Sequence, residues 1–197
     1  MRGMSAVSGP DVTNGRILVV CTGNICRSPY IERVLARELS GTGIAVSSAG
    51  TGALVGSPVD PESAQRLVAV GANAEGFAAR QITREIVAAS DLIIGATREH
   101  LSEVVPLHPR ALRYSFALHD LGDLLADVTP QEIAAAPGHN RVAKVAAAAI
   151  GRRGIVNPRL PEQSGIVDPY RQSPEVFDQM VTEISASLPA VVAALRH

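Results

Sequence analysis

Cys21 and Arg27 stand six positions apart in the run Val19-Val20-Cys21-Thr22-Gly23-Asn24-Ile25-Cys26-Arg27-Ser28-Pro29. An apolar stretch ending in a thiol, followed by a guanidinium and a proline, fits a strand, an anion-cradling loop and the first turn of a helix. The backbone of Thr22, Gly23, Asn24, Ile25 and Cys26 can curl so that successive amides point inward, a nest for three phosphate oxygens. The dipole of the following helix adds a positive field, which also favours the thiolate of Cys21. Arg27 offers a fork of donors for two equatorial oxygens. Gly23 and Asn24 tolerate the positive φ a curled loop demands, and Ser28 can donate its hydroxyl to the sulfur. The chemistry these residues suit is phosphoryl transfer through a cysteinyl-phosphate, with no metal and no cofactor.

A leaving alkoxide or phenoxide needs a proton, and Asp168 in Val167-Asp168-Pro169-Tyr170 is the candidate general acid. Pro169 biases Asp168 towards an extended loop conformation from which it can overhang the pocket. The same carboxylate then serves as the base that activates water. Tyr170 is placed as an aromatic wall.

Plainer readings compete with some of these. A cysteine at a strand end is commonly a small hydrophobe, and Cys-x5-Arg alone is a weak pattern; the strand, loop and helix together are far more specific. Asp60-Pro61 reads as a helix start only. Cys26 either packs in the loop or pairs reversibly with Cys21 on oxidation. His100, His108, His119, His139 and His197 lack metal-ligand spacing, which leaves surface or structural roles. Arg152-Arg153 reads as a solvated turn.

Positioning these residues requires a parallel sheet. Strands are expected at Ile17 to Val20, Ile44 to Ser48, Leu92 to Ile94 and, more weakly, Leu112 to Phe116. Helices are expected from Pro29 to Leu39 with Ser28 as N-cap, and from Asp60-Pro61 to Gly71. Others run from about Ile82 to Ala89 with Thr83 as cap, and from Thr97 to Val105, ended by Pro106 and Pro109. Further helices start at Thr129-Pro130, at Arg141 (to Ile150) and at Pro174 (to Leu195, with Pro189 a break or kink). Gly151 to Gly165 reads as loop. Strands alternating with helices give an α/β fold, a four-stranded parallel sheet with helices on both faces. In such a sheet ligands sit beyond the carboxyl ends of the strands, where Cys21 lies.

The 197 residues, 46% hydrophobic and 19% charged, make one ordinary globular domain at residues 16–197, behind a flexible leader at 1–15. A net charge of −1 argues against nucleic-acid and membrane-surface partners. Two close cysteines do not make a secreted disulfide scaffold, and no apolar run is long enough to span a bilayer, so the cytoplasm is the expected compartment. No signal of oligomeric state is present.

The run from Cys21 to Pro29 resembles the signature loop of the low-molecular-weight protein tyrosine phosphatases, and Asp168-Pro169-Tyr170 resembles that family's general-acid motif. The likeness continues through Ser48-Ala49-Gly50-Thr51, Asp60-Pro61 and Asp91-Leu92-Ile93, covering most of residues 16 to 195. It implies a four-stranded parallel sheet in a Rossmann-like three-layer arrangement, a phosphotyrosine-containing protein substrate and no cofactor. Cys21 becomes the nucleophile, Arg27 the phosphate clamp and Asp168 the acid, with Asn24 holding the loop through Ser48 and Ser28 tuning the thiolate. Three departures stand out. The Cys21–Asp168 separation is long, with extra residues expected within 120–166. Gly52 to Val55 lacks an aromatic wall residue, and Arg171 follows Tyr170 where a second aromatic is frequent.

Related loops act on phosphoarginine, with threonine at the position of Ile25; the apolar Ile25 favours an aromatic phosphate ester. Arsenate reduction through downstream cysteines is excluded by their absence after Cys26, which leaves a version using an external small thiol. A non-catalytic phosphate-binding module is opposed by intact Cys21, Arg27 and Asp168.

Overall fold

The computed structural model describes residues 14–196. Residues 1–13 of the expected leader lie outside that range, whereas Asn14 donates its N–H to Gly43 and Gly15 opens the first strand. The sheet consists of β1 (Gly15–Cys21), β2 (Ile44–Gly50), β3 (Leu92–Gly95) and β4 (Ser115–Ala117). All pairings are parallel, in the order β2-β1-β3-β4. The expected four-stranded parallel sheet is what forms. β1 is its centre because Ile17 to Val20 are apolar on both faces and lose all solvent contact.

Alternation along β1 sorts the core into two layers. Ile17, Val19 and Cys21 face the larger cluster, with α1 (Arg27–Glu38), α5 (Leu118–Leu125), α7 (Arg141–Arg152) and α8 (Pro174–Arg196). Leu18 and Val20 face the smaller one, with α3 (Arg84–Ala88) and α4 (Arg98–Leu107). α2 (Pro61–Ala69) joins the first layer through Leu67, and α6 (Pro130–Ala135) through Ile133. Among the described residues no helix is long and apolar enough to cross a membrane.

Several elements differ from the sequence expectation. Ser28 is not the N-cap of α1: the helix starts at Arg27 with Cys26 in that position, and the Ser28 hydroxyl turns inward onto Cys21. Thr97 precedes α4, but its hydroxyl bonds the ring of His100 rather than a helix N–H. Pro106 lies in the last turn of α4 instead of beyond it. β4 begins three residues late because Pro109, with its fixed φ, starts a 3-10 turn through Arg113. Pro161 likewise starts a short 3-10 turn in the segment expected to be loop. Helix α8 passes through Pro189 without a break. Helix α5 is absent from the sequence reading. Its Gly122 looks like a helix breaker, but a Cβ there would sit 2.9 Å from Ser187 Cβ, so the glycine lets α5 and α8 approach closely.

Gly50 fixes the sheet to the loop after β1. A Cβ at this position would lie 2.3 Å from the Thr22 carbonyl oxygen, a backbone atom with no freedom to swing away. We expect Gly50→Ala to cost about 1–3 kcal/mol, read as a lower urea midpoint, and to reduce any activity of the loop. An unchanged midpoint would mean that β2 and the loop can part without cost.

Candidate active site

The loop after β1 is held from outside by its carbonyls. Cys21, Thr22, Gly23 and Ile25 accept from the N–H groups of Thr51, Gly52, Leu54 and Asp60, at 2.9–3.0 Å. The N–H groups of Thr22 to Ser28 have no acceptor among the described residues, so the donors are left for the concave side. Asn24 takes the left-handed conformation, with φ at 55°. Gly23, which can also accommodate positive φ, does not adopt it.

A hydrogen-bond relay runs behind the loop. Asn24 Nδ2 donates to Ser28 Oγ (2.9 Å) and to Ser48 Oγ (2.7 Å), and Asn24 Oδ1 accepts from the Arg80 N–H at 2.9 Å. Ser48 then donates to Glu32 at 2.5 Å, and its carbonyl accepts from Arg80 Nε at 2.7 Å. Burial pushes the Glu32 carboxyl above its ordinary range, opposed by the bond from Ser48. Since Ser28 already accepts from Asn24, its own proton is free for Cys21 Sγ, 2.9 Å away. Asn24, Ser28 and Ser48 are all buried, so this small network has one arrangement and fixes where the sulfur sits.

Arg27 and Asp168 come from opposite ends of the chain and meet. Arg27 Nη2 lies 2.8 Å from Asp168 Oδ2, with the arginine side chain 6% exposed and the aspartate 53%. Nη1 donates to the Ile166 carbonyl at 3.3 Å, and Nε is buried with no partner among the described residues. A guanidinium anchored at one corner and unsatisfied at another is suited to an oxyanion. Cys21, Arg27 and Asp168 line one cavity of about 150 Å³, together with Thr22, Gly23, Ile25 and Cys26. Leu54 and Tyr170 form its rim, so the position expected to lack an aromatic carries an aliphatic wall. Arg171, at φ 59°, lays its guanidinium 5.0 Å from the Tyr170 ring centre. Cys26 is buried, and desolvation, then the charge of Asp60, pushes its thiol up to about 12. It remains protonated at any working pH.

Arg80 and Glu32 were missed by sequence reasoning, and His100, expected in a surface or structural role, takes the structural one. Nδ1 of His100 pairs with Thr97 Oγ1 at 2.8 Å and Nε2 with Thr22 Oγ1 at 3.0 Å, tying the start of α4 to the loop. The available signal was position: Thr97-x-x-His100 is one helical turn directly beyond the carboxyl end of β3. Burial, then the charge of Arg27, brings the His100 pKa from 6.5 down to about 4. The unfolded chain therefore binds the extra proton between about pH 6.5 and pH 4. Stability from keeping His100 neutral is fully present above pH 6.5 and lost as pH falls towards 4. The loss is expected to be on the order of 3 kcal/mol at most. Urea titrations at pH 6.5 and 4.5 should show a smaller difference for His100→Gln than for wild type; equal differences would remove His100 as the source.

A family model described as "Low molecular weight phosphotyrosine protein phosphatase" matches residues 16–128. The low molecular weight protein-tyrosine-phosphatase Etp of Escherichia coli is 44% identical over 93 residues, which cover 47% of this chain and 62% of that protein. The match thus spans less than two thirds of that relative's length. The solved tyrosine phosphatase Wzb from Escherichia coli, in complex with sulphate, superposes with a TM-score of 0.66 at 25% identity, covering 92% of this chain and 99% of that one. The YwlE arginine phosphatase from Geobacillus stearothermophilus has a TM-score of 0.65 at 23% identity, with 92% of each chain covered, a likeness of fold alone. The family match ends before Asp168, so the case for that residue rests on the geometry around Arg27.

Proposed function

Since this chain belongs to the low molecular weight phosphotyrosine protein phosphatase family, we propose that it hydrolyses phosphotyrosine in protein substrates through a phosphoenzyme on Cys21. The observation that carries the reading is the shared cavity of Cys21, Arg27 and Asp168, in which Arg27 Nε is left without a partner. The amides of Thr22 to Ser28 and the Arg27 fork hold the three non-bridging oxygens. Cys21 Sγ attacks phosphorus and the bond to the tyrosine oxygen breaks, while Asp168 gives that oxygen its proton. Asp168 then takes a proton from water as the water oxygen attacks phosphorus. The P–S bond breaks and the thiolate returns to the Ser28 hydroxyl.

Selectivity is assigned to the rim. Ile25, Leu54 and Tyr170 offer apolar surface to an aromatic ring, and none of them offers a carboxylate to a guanidinium. Phosphotyrosyl peptide should therefore turn over faster than the phosphoarginyl version of the same sequence, and Ile25→Thr should narrow the gap. Faster phosphoarginine turnover by the unmutated protein would overturn the preference. Arsenate-dependent consumption of a small thiol, without ester hydrolysis, would overturn the reaction class. Both cysteines are free, and a reducing cytoplasm is the compartment in which Cys21 stays usable. Residues 16–197 are read as one phosphatase domain, with the additional length within 120–166 an insertion in it.

A further inference from the structure

A second cavity, of about 440 Å³, lies over the edge strand β4, away from the Cys21 loop. Its volume is within the range of small-molecule sites. Phe116 and Leu124 are its buried lining, with Leu101, Val105 and Val156 adding further apolar surface. Leu112, 59% exposed, stands at its rim.

The charged groups in this cavity do not balance. Arg98 is held by Asp120 through two bonds of 2.8 Å, and Arg159 by Asp123 through bonds of 2.6 and 2.8 Å. Arg153 is the third guanidinium, and no carboxylate among the described residues is within ion-pairing distance of it. It donates to the Ser115 carbonyl at 3.0 Å and lies 4.6 Å from the centre of the Phe116 ring. Three guanidinium groups against two carboxylates leave one positive charge beside an apolar lining. The solvated turn expected at Arg152-Arg153 is half wrong: Arg152 is the half-buried last residue of α7, while Arg153 follows it as an exposed residue whose guanidinium lies over an aromatic ring, and partial desolvation holds its pKa below the usual arginine value.

We propose that this cavity is a binding site for a small amphipathic monoanion, an aromatic or other apolar body carrying one carboxylate or comparable group. The apolar body would lie on Phe116, Leu124 and Val156. The anionic group would accept a charge-assisted bond from the Arg153 guanidinium, beside an aromatic face that lowers the cost of desolvating it. A dianion gains little here because the other two arginines are already neutralised, and a cation is repelled. The wall from Arg153 to Arg159 belongs to the segment between α7 and Asp168. That long segment thereby has a use the phosphatase reading does not give it, and the proposal does not depend on that reading.

The test uses the full chain in saturating inorganic phosphate, which keeps the probe off the Cys21 loop, with amide NMR shifts followed during titration. The probes are 2-naphthoate and its neutral counterpart 2-naphthamide. Saturable shifts by naphthoate at Ser115, Phe116, Leu124 and Val156, with affinity about 10-fold above the amide, are expected. Arg153→Gln should bring naphthoate down to the affinity of the amide. Leu112→Glu, an exposed rim change that adds a carboxylate and leaves the core intact, should weaken naphthoate about 10-fold or more. Equal affinity of the two probes, shifts confined to Cys21–Ser28, insensitivity to both substitutions, or no saturation up to about 10 mM would each overturn the proposal.

Discussion

Replacing Cys21 by serine is expected to lower turnover of a phosphotyrosyl peptide by ~10⁴-fold or more while leaving phosphate affinity within about threefold of wild type. Binding and chemistry separate here because different atoms perform them. In the proposed mechanism the oxyanion is gripped by backbone amides and Arg27, neither of which the substitution touches, and the loop is braced by Asn24, Ser48 and Glu32 behind it. On the proposed mechanism the nucleophile is the sulfur alone. An unionised hydroxyl is a far weaker nucleophile than a thiolate, and the hydrogen-bond partner of the position 21 side chain among the described residues is the Ser28 hydroxyl, a donor towards it and not a base. The comparison needs steady-state rates and phosphate titrations on both proteins. Residual activity within 100-fold of wild type would place the nucleophile elsewhere. If the result holds, the same variant becomes a trap for the physiological phosphoprotein.

The elements that carry the site were legible because each announces itself locally. An apolar run ended by a cysteine, a proline in the first helical turn and Asp60-Pro61 as a helix start all act over a few residues, and the structure has each of them. The supports of the site were hidden because they act across the sheet. Arg80 reaches the loop from 56 residues away and His100 from 78, so no local spacing ties either to it. The same holds for α5, where local propensity reads Gly122 as a stop and only the approach of Ser187 explains it. Ser28 makes its expected contact with the sulfur but not the expected helix cap, for a related reason. Capping statistics apply to a serine competing only for helix N–H groups, whereas this one is claimed by Asn24 and Cys21.

The second large effect is expected at Asp168, and its signature is selectivity rather than size. Asp168→Asn should slow hydrolysis of phosphotyrosine and other poor leaving groups by roughly 10²–10⁴-fold, yet barely change esters whose leaving group is already a stable anion. The amide cannot give up a proton, so the penalty scales with how much the departing oxygen needs one. The substitution should not unfold the protein. The Asp168 side chain is 53% exposed, and an ion pair at that exposure contributes little stability. Phosphate affinity should hold or rise, since the change removes a carboxylate 2.8 Å from Arg27 that competes with a dianion for the same guanidinium. These consequences separate an acid from a mere anchor. A residue that only positions Arg27 would, when lost, weaken phosphate binding and slow every ester alike. A general acid leaves binding intact and steepens the dependence of rate on leaving-group basicity. Rates across a series of aryl phosphates, with phosphate inhibition measured alongside, distinguish the two, and a uniform loss across the series would take Asp168 out of the proton transfer.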